Sequence, residues 1–195
     1  MAKRVFDIFF SIIGLLFTFP VLVILAVLIS IDSKGGVFYK QVRIGKNLSP
    51  FKLYKFRSMT TDADKKGLLT VGNKDSRITS IGYYLRKYKL DELPQLINVL
   101  LGDMSFVGPR PEVEKYVKLY NQEQLKVLNV KPGITDWASI KYVNENEILA
   151  KSTQPEITYI EEIMPAKLKL NLEYVNHNNI FMDVKIILLT IKAII

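Results

Sequence analysis

Leu90-Asp91-Glu92-Leu93-Pro94-Gln95 is the stretch around which the rest of the chain is arranged. Arg86-Lys87-Tyr88-Lys89 precedes it and Gly108-Pro109-Arg110-Pro111 follows it. Two adjacent carboxylates among so many cations are the makings of a site for a phosphorylated substrate. Pro94 has no backbone N–H, so it suits a first helical turn, where that donor would have no partner. The pattern predicts Asp91 at or near an N-cap, Gln95 to Leu101 as the helix, and Gly102 as its stop. The positive end of the helix dipole favours an ionised Asp91 and an anionic ligand. A plain helix cap would need no ligand at all, so the rest of the sequence has to decide.

Composition narrows the choice. The chain has 195 residues, 49% of them hydrophobic and 24% charged, with a net charge of +8. One domain plus an appendage fits that length. The combination implies a basic globular part joined to a membrane part, with nucleic acid, anionic lipid or phosphorylated substrates as candidate partners. Cysteine is absent, which rules out thiolate catalysis, disulfides and cysteine zinc sites. The single histidine, His177, lies in a polar Asn176-His177-Asn178-Asn179 turn and is read as a surface residue. Acid–base work therefore falls to carboxylates, lysine or tyrosine.

Val5 to Ile31 is almost wholly apolar. As one helix it would be about 40 Å long, against a hydrocarbon core of roughly 30 Å. It is too long for the apolar part of a signal peptide. Pro20 near its middle should kink or break it. Basic residues flank both ends: Lys3 and Arg4 before, and Lys34, Lys40 and Arg43 among those after. By the positive-inside rule both ends belong on the cytoplasmic side. A helix-break-helix that dips into one leaflet and returns fits better than a tilted span. Asp7 would then sit at its mouth beside Arg4, where a charge is tolerated.

After Gly35-Gly36, Val37 to Val42 and Phe51 to Phe56 alternate as two strands around a Gly45-Lys46-Asn47 turn. This hairpin groups Lys52, Lys55 and Arg57. Asp62-Ala63-Asp64 has the D-x-D spacing with which many nucleotide-sugar glycosyltransferases hold a divalent ion, although so short a motif is common by chance. Ile81 to Tyr88 reads as a helix that can aim Arg86 at the Asp91 pocket, and arginine's fork can take two phosphate oxygens at once. Arg110, held between two prolines, is a stiffly presented cation. Glu112 to Val127 reads as a surface-packed helix, and Pro132 to Ile140 as a loop leading to a strand. Glu145, Glu147, Glu161 and Glu162 read as solvated helix faces. Ile180, Phe181, Val184, Ile187, Leu188, Ile191 and Ile195 form a stripe at helical spacing, read as an interfacial helix that contacts the bilayer.

Taken together, these segments resemble the bacterial sugar transferase family of monotopic phosphoglycosyl transferases. The matching pieces are Lys3 to Asp7, Gln41 to Gly45, Lys55 to Met59, Arg77-Ile78-Thr79 with Gly82, Leu85-Arg86, Leu90 to Gln95, Gly102 to Ser105, Val107 to Pro111, and Pro132 to Trp137. They cover nearly the whole chain in the family's order. The resemblance implies a UDP-sugar donor, a polyprenol phosphate acceptor and the bilayer as partners, and no nucleic acid. It implies that Asp91 is the nucleophile, that UMP is released, and that Glu92 relays a proton or positions groups. It further implies Mg2+ near Asp91, and Arg86, Arg110, Lys55, Arg57 and Gln95 around the substrate phosphates. The expected place is the cytoplasmic face of a bacterial inner membrane. Two positions depart from the common pattern: Lys89 replaces serine or threonine, and Asp136-Trp137-Ala138-Ser139 replaces Gly-Trp-Ala-Gln.

The expected architecture is α+β and mostly helical. A re-entrant membrane anchor at residues 1–33, with its break at Pro20, precedes a catalytic domain at 34–195 that holds a small β-hairpin and interfacial amphipathic helices. The sequence leaves the sugar and any homo-oligomer open. Two rivals remain: a metal-dependent glycosyltransferase using Asp62 and Asp64 and releasing UDP, and a basic peripheral membrane or nucleic-acid-binding protein without enzymatic activity.

Overall fold

The computed structural model describes residues 2–67, 69–72 and 75–194. The apolar segment forms a single helix, α1 (Ala2–Asp32), which is long and apolar enough to cross a membrane. The two-armed anchor expected from Pro20 is not resolved as two helices; helical hydrogen bonding continues through the proline. Pro20 removes one donor, and the Thr18 hydroxyl makes its own bond to the Gly14 carbonyl at 2.6 Å. Along α1, Asp7, Ser11, Leu25 and Ile29 are buried at helical spacing. The opposite flank is open, and exposure peaks beside the proline at Phe17, which is 85% exposed.

That buried stripe holds α1 to the rest of the molecule from one end to the other. The Arg4 guanidinium donates to the Val99 and Leu100 carbonyls, the latter at 2.8 Å. Asp7 accepts from the Ser105 hydroxyl at 3.0 Å and the Phe106 N–H at 3.1 Å. Leu96 packs against Gly14. Leu25 and Ile29 form a cluster with Phe56 and Leu85. At the far end, Arg57 donates to the Lys34 and Ser33 carbonyls, both at 2.6 Å, and closes the last turn of the helix.

The hairpin appears as expected, with β1 (Phe38–Ile44) antiparallel to β2 (Pro50–Phe56). Helix α2 (Ser80–Lys87) starts at Thr79, whose hydroxyl caps the Gly82 N–H at 3.0 Å. A 3-10 turn over Leu90–Glu92 then leads into α3 (Gln95–Leu101), which Gly102 ends in a left-handed conformation. Asp91 therefore lies inside that turn and caps nothing with its side chain, contrary to the N-cap expectation. Pro94 takes the position before α3, freeing the carboxylate.

Strand β3 (Ser105–Val107) pairs in parallel with β4 (Gly133–Thr135). The helix expected over Glu112 to Val127 is replaced by a short α4 (Glu114–Val117) and a 3-10 segment, Gln124–Asn129. Asn121 and Gln124 exchange side-chain bonds with each other's N–H groups at 2.9 Å, and this reciprocal cap starts a new turn. Likewise β4 and α5 (Trp137–Lys141) occupy the stretch Pro132 to Ile140 that was expected to be a loop leading to a strand, with the Asp136 side chain capping the helix. The remaining helices are α6 (Glu145–Ala150), α7 (Pro155–Thr158), α8 (Met164–His177) and α9 (Ile180–Ile194).

The largest apolar cluster joins Val113, Tyr116 and Val127 to Leu149, Tyr159, Met164 and Leu168. Glu145 is less solvated than expected, because Lys167 bonds it at 2.6 Å. Helix α9 buries Asp183 and Ile186 against the domain, where Asp183 meets Lys3 and accepts from the Tyr174 hydroxyl at 2.6 Å. Its outer edge, Phe181, Val184, Leu188 and Ile191, stays exposed. Ile195, the end of the predicted stripe, lies outside the described residues.

The β3–β4 crossing depends on two glycines. A Cβ on Gly133 would lie 2.1 Å from the Gly108 nitrogen, and one on Gly108 would lie 2.3 Å from the Lys131 carbonyl oxygen. Backbone cannot yield by that much. Gly133→Ala is expected to cost about 2–3 kcal/mol, lowering Tm by roughly 5–10 °C in a thermal unfolding experiment on the detergent-solubilised chain.

Candidate active site

Four segments converge on a cavity of about 750 Å³ whose wall includes Lys55, Arg86, Lys89, Asp91, Glu92 and Arg110. Strand β2 supplies Lys55. It is fixed to α3 by Asn98, which accepts the Tyr54 N–H at 2.9 Å and donates to the Lys52 carbonyl at 2.8 Å. Helix α2 supplies Arg86 in its last turn. Lys89 follows in a left-handed conformation, with φ of 55°, and swings the chain into the Leu90–Glu92 turn. A non-glycine residue there stores roughly 1 kcal/mol of strain, offset by the packing of Leu90 and Leu93 on the α1 cluster.

Glu92 is clamped. Lys55 Nζ reaches one carboxylate oxygen at 3.2 Å, and Arg110 lies across both, with one guanidinium contact at 3.1 Å. Burial alone would raise the Glu92 carboxyl, but Arg110 and Lys55 outweigh it and hold the group well below the usual carboxylate range. The Glu92 charge in turn raises the Arg110 guanidinium. Burial pushes Lys55 down, with Glu92 opposing.

Asp91 is different. It is 5% exposed, and its carboxylate accepts no hydrogen bond among the described residues. Burial raises its carboxyl above the ordinary value, the neighbouring Glu92 charge raises it further, and Lys55, Arg86 and Lys89 pull the other way. A buried carboxylate with an open lone pair, facing a cation-lined cavity, is a poised nucleophile or base.

Two expected site residues stand elsewhere. Arg57 is bound to the end of α1 and is absent from the cavity wall. Gln95 is 1% exposed, inside the first turn of α3, and also off the wall. Asp64 accepts from the Tyr39 hydroxyl at 2.5 Å, and neither it nor Asp62 lines the cavity.

Three contributors escaped the sequence reading as site residues. Arg43 bonds the Gln41 side chain, the Pro111 carbonyl at 3.1 Å and Glu112 at 3.2 Å. Asp136 is fully buried and accepts the Arg110 N–H at 2.9 Å. Asn98 had no signal beyond its place on a helix. For Asp136, the departure from Gly-Trp-Ala-Gln was the one available clue.

No three carboxylate or histidine side chains converge among the described residues. Both Glu92 oxygens are taken by cations, while Asp91, beside them on this wall, is not held by a hydrogen bond; farther along it, one Glu112 oxygen pairs with Arg43 and the other is buried without a partner. Magnesium is usually held by one or two carboxylates with waters and substrate phosphates. Asp91 together with a diphosphate meets that requirement.

The whole chain, residues 1–195, matches the family described as bacterial sugar transferase. It is 38% identical over 193 residues to the uncharacterized sugar transferase EpsL of Bacillus subtilis (strain 168), covering 99% of this chain and 87% of that protein. It is 37% identical over 196 residues to the UDP-glucose:undecaprenyl-phosphate glucose-1-phosphate transferase of Escherichia coli (strain K12), covering 98% of this chain and 39% of that protein. A UDP-N-acetylgalactosamine-undecaprenyl-phosphate N-acetylgalactosaminephosphotransferase of Aeromonas hydrophila is 34% identical over 196 residues, with coverage of 99% and 43%. In the last two, the matched region is about two-fifths of a longer protein. With the family match running over the whole chain and a relative 38% identical along nearly all of it, the chain belongs to the bacterial sugar transferase family.

Proposed function

We propose that the chain is a phosphoglycosyl transferase that moves a sugar 1-phosphate from a UDP-sugar to polyprenol phosphate at a membrane surface. The observation that carries this reading is the contrast within one dipeptide: Glu92 is neutralised by Lys55 and Arg110, while Asp91 is buried, open and surrounded by cations. Relatives named for transfer of sugar phosphates to undecaprenyl phosphate support the reaction class.

In the first step an Asp91 carboxylate oxygen attacks the sugar-side phosphorus. The new O–P bond forms as the bond to the bridging oxygen breaks, and UMP leaves with the electron pair. Arg86 and Lys89 receive charge on the phosphate oxygens. Arg110 and Lys55 hold Glu92 ionised and fixed, which keeps the adjacent Asp91 in register. In the second step an oxygen of polyprenol phosphate attacks the same phosphorus and the Asp91–phosphorus bond breaks. Magnesium, if held by Asp91 and the donor diphosphate, would supply neutralising charge and orient the phosphates.

The contact stripe from Arg4 to Ile29 supports a one-sided anchor. Both ends of α1 are bonded to the same domain, so a spanning orientation would require that polar domain to reach through the hydrocarbon core alongside the helix. The lipid-facing flank and the outer edge of α9 would then share one leaflet, the cytoplasmic one given the basic flanks.

Asp91→Asn should reduce UMP release at least about 10³-fold while leaving Tm near that of the parent. With donor alone, mass spectrometry should find a phosphosugar adduct on the parent and none on the variant; full turnover by the variant would overturn the reading. The acidic limb of kcat/KM should lie above the ordinary aspartate value, because Asp91 must be ionised to attack and its environment favours the protonated form. Glu92→Gln removes the second cause of that rise, so the limb should move to lower pH even as the maximal rate falls. In this cysteine-free chain, Ala2→Cys and Lys34→Cys should both react with a membrane-impermeant maleimide only when the cytoplasmic side is exposed, as in inverted vesicles.

A further inference from the structure

The Pro109-Arg110-Pro111 strap carries only one backbone donor, because both flanking residues are prolines. That donor, the Arg110 N–H, goes to Asp136 Oδ2 at 2.9 Å. The other Asp136 oxygen accepts the Ser139 N–H at 2.5 Å and caps α5. The strap's carbonyls are fixed as well: Pro109 accepts from the Gly133 N–H at 3.1 Å, and Pro111 from Arg43 at 3.1 Å. Upstream, the Gly108 N–H reaches the Thr135 carbonyl at 3.0 Å. Asp136 is fully buried and does not line the cavity.

We propose that Asp136 is a positioning residue for the transfer reaction: its buried carboxylate ties the Arg110 backbone to the start of α5 and so sets where the guanidinium meets Glu92 beside the nucleophile. A capping residue needs only one oxygen, and serine would suffice. The second oxygen is what aspartate adds, and it is used on the strap. A glycine at this position would leave the strap's only donor without this acceptor. The inference rests on the role given to Arg110 above.

Asp136→Ser separates the two functions, since serine can still cap α5 but is too short to hold both ends. In the full chain reconstituted in lipid, UMP release is measured with UDP-glucose or UDP-N-acetylgalactosamine, whichever the parent turns over, together with Tm. Asp136→Ser should lower kcat about tenfold or more, with donor KM changed by less than about twofold. In an Arg110→Ala background the same substitution should add less than about twofold, because its effect runs through that arginine. Equal losses in both backgrounds, or an unchanged kcat, would overturn the proposal while leaving the reading of Arg110 intact. Full activity of Arg110→Ala alone would overturn both. If the serine variant does not fold, Asp136→Asn takes its place, since its isosteric amide offers an acceptor to only one of the two N–H groups, and the same two outcomes decide.

Discussion

Glu92 is where three segments distant in sequence become one site. Lys55 arrives from β2, Arg110 from the strap after β3, and the carboxylate itself from the turn between α2 and α3. All three charges are partly withdrawn from water, Glu92 and Lys55 more than Arg110, and the desolvation of such groups is costly unless they are paired. Each therefore needs the other two in place. Their mutual neutralisation leaves the adjacent Asp91 in a setting of its own, where burial works against its charge and nearby cations work for it. Two neighbouring carboxylates end with opposite shifts, the intrinsically weaker acid Glu92 lowered and Asp91 raised, and that division of labour follows from which of them the cations touch.

The surrounding fold serves to hold those three segments still. Asn98 pins β2 to α3, Arg43 and Gly133 hold the carbonyls of the strap, and Arg57 fastens the end of α1 near the start of the domain. The long apolar helix is part of this framework as well as an anchor. Its polar residues are bonded inward: Arg4 to the last carbonyls of α3, Asp7 to β3, and Lys3 to the Val107 carbonyl at 3.0 Å. Membrane attachment and active-site geometry thus share the same bonds.

Much of this was legible in the sequence because it is local. The apolar run, the alternating hairpin, the Gly102 stop and the adjacent Asp91-Glu92 pair all express short-range rules of periodicity and turn chemistry. What stayed hidden was direction and partnership. The spacing of Lys52, Lys55 and Arg57 groups three cations, yet only contacts far along the chain show that Lys55 faces Glu92 while Arg57 turns to the end of α1. The apolar pattern from Val113 to Leu125 is helical, but the Asn121–Gln124 pair offers the backbone a competing cap and wins locally. Asp91 looked like a cap because of its place before Pro94. It is freed from that duty because the turn that contains it is closed by backbone bonds, with the Leu93 N–H donating to the Leu90 carbonyl at 3.3 Å.

The inward-bonded stripe of α1 also bears on how the proposed reaction would meet its lipid acceptor. On that reading the enzyme lies along a leaflet, with one flank of its helix on protein and the other on acyl chains, and would search for the acceptor by lateral diffusion within a plane. The concentration that governs encounter is then the number of acceptor molecules per unit of bilayer area. Adding inert lipid would thin the acceptor out and slow the search, even at a constant amount of acceptor per millilitre.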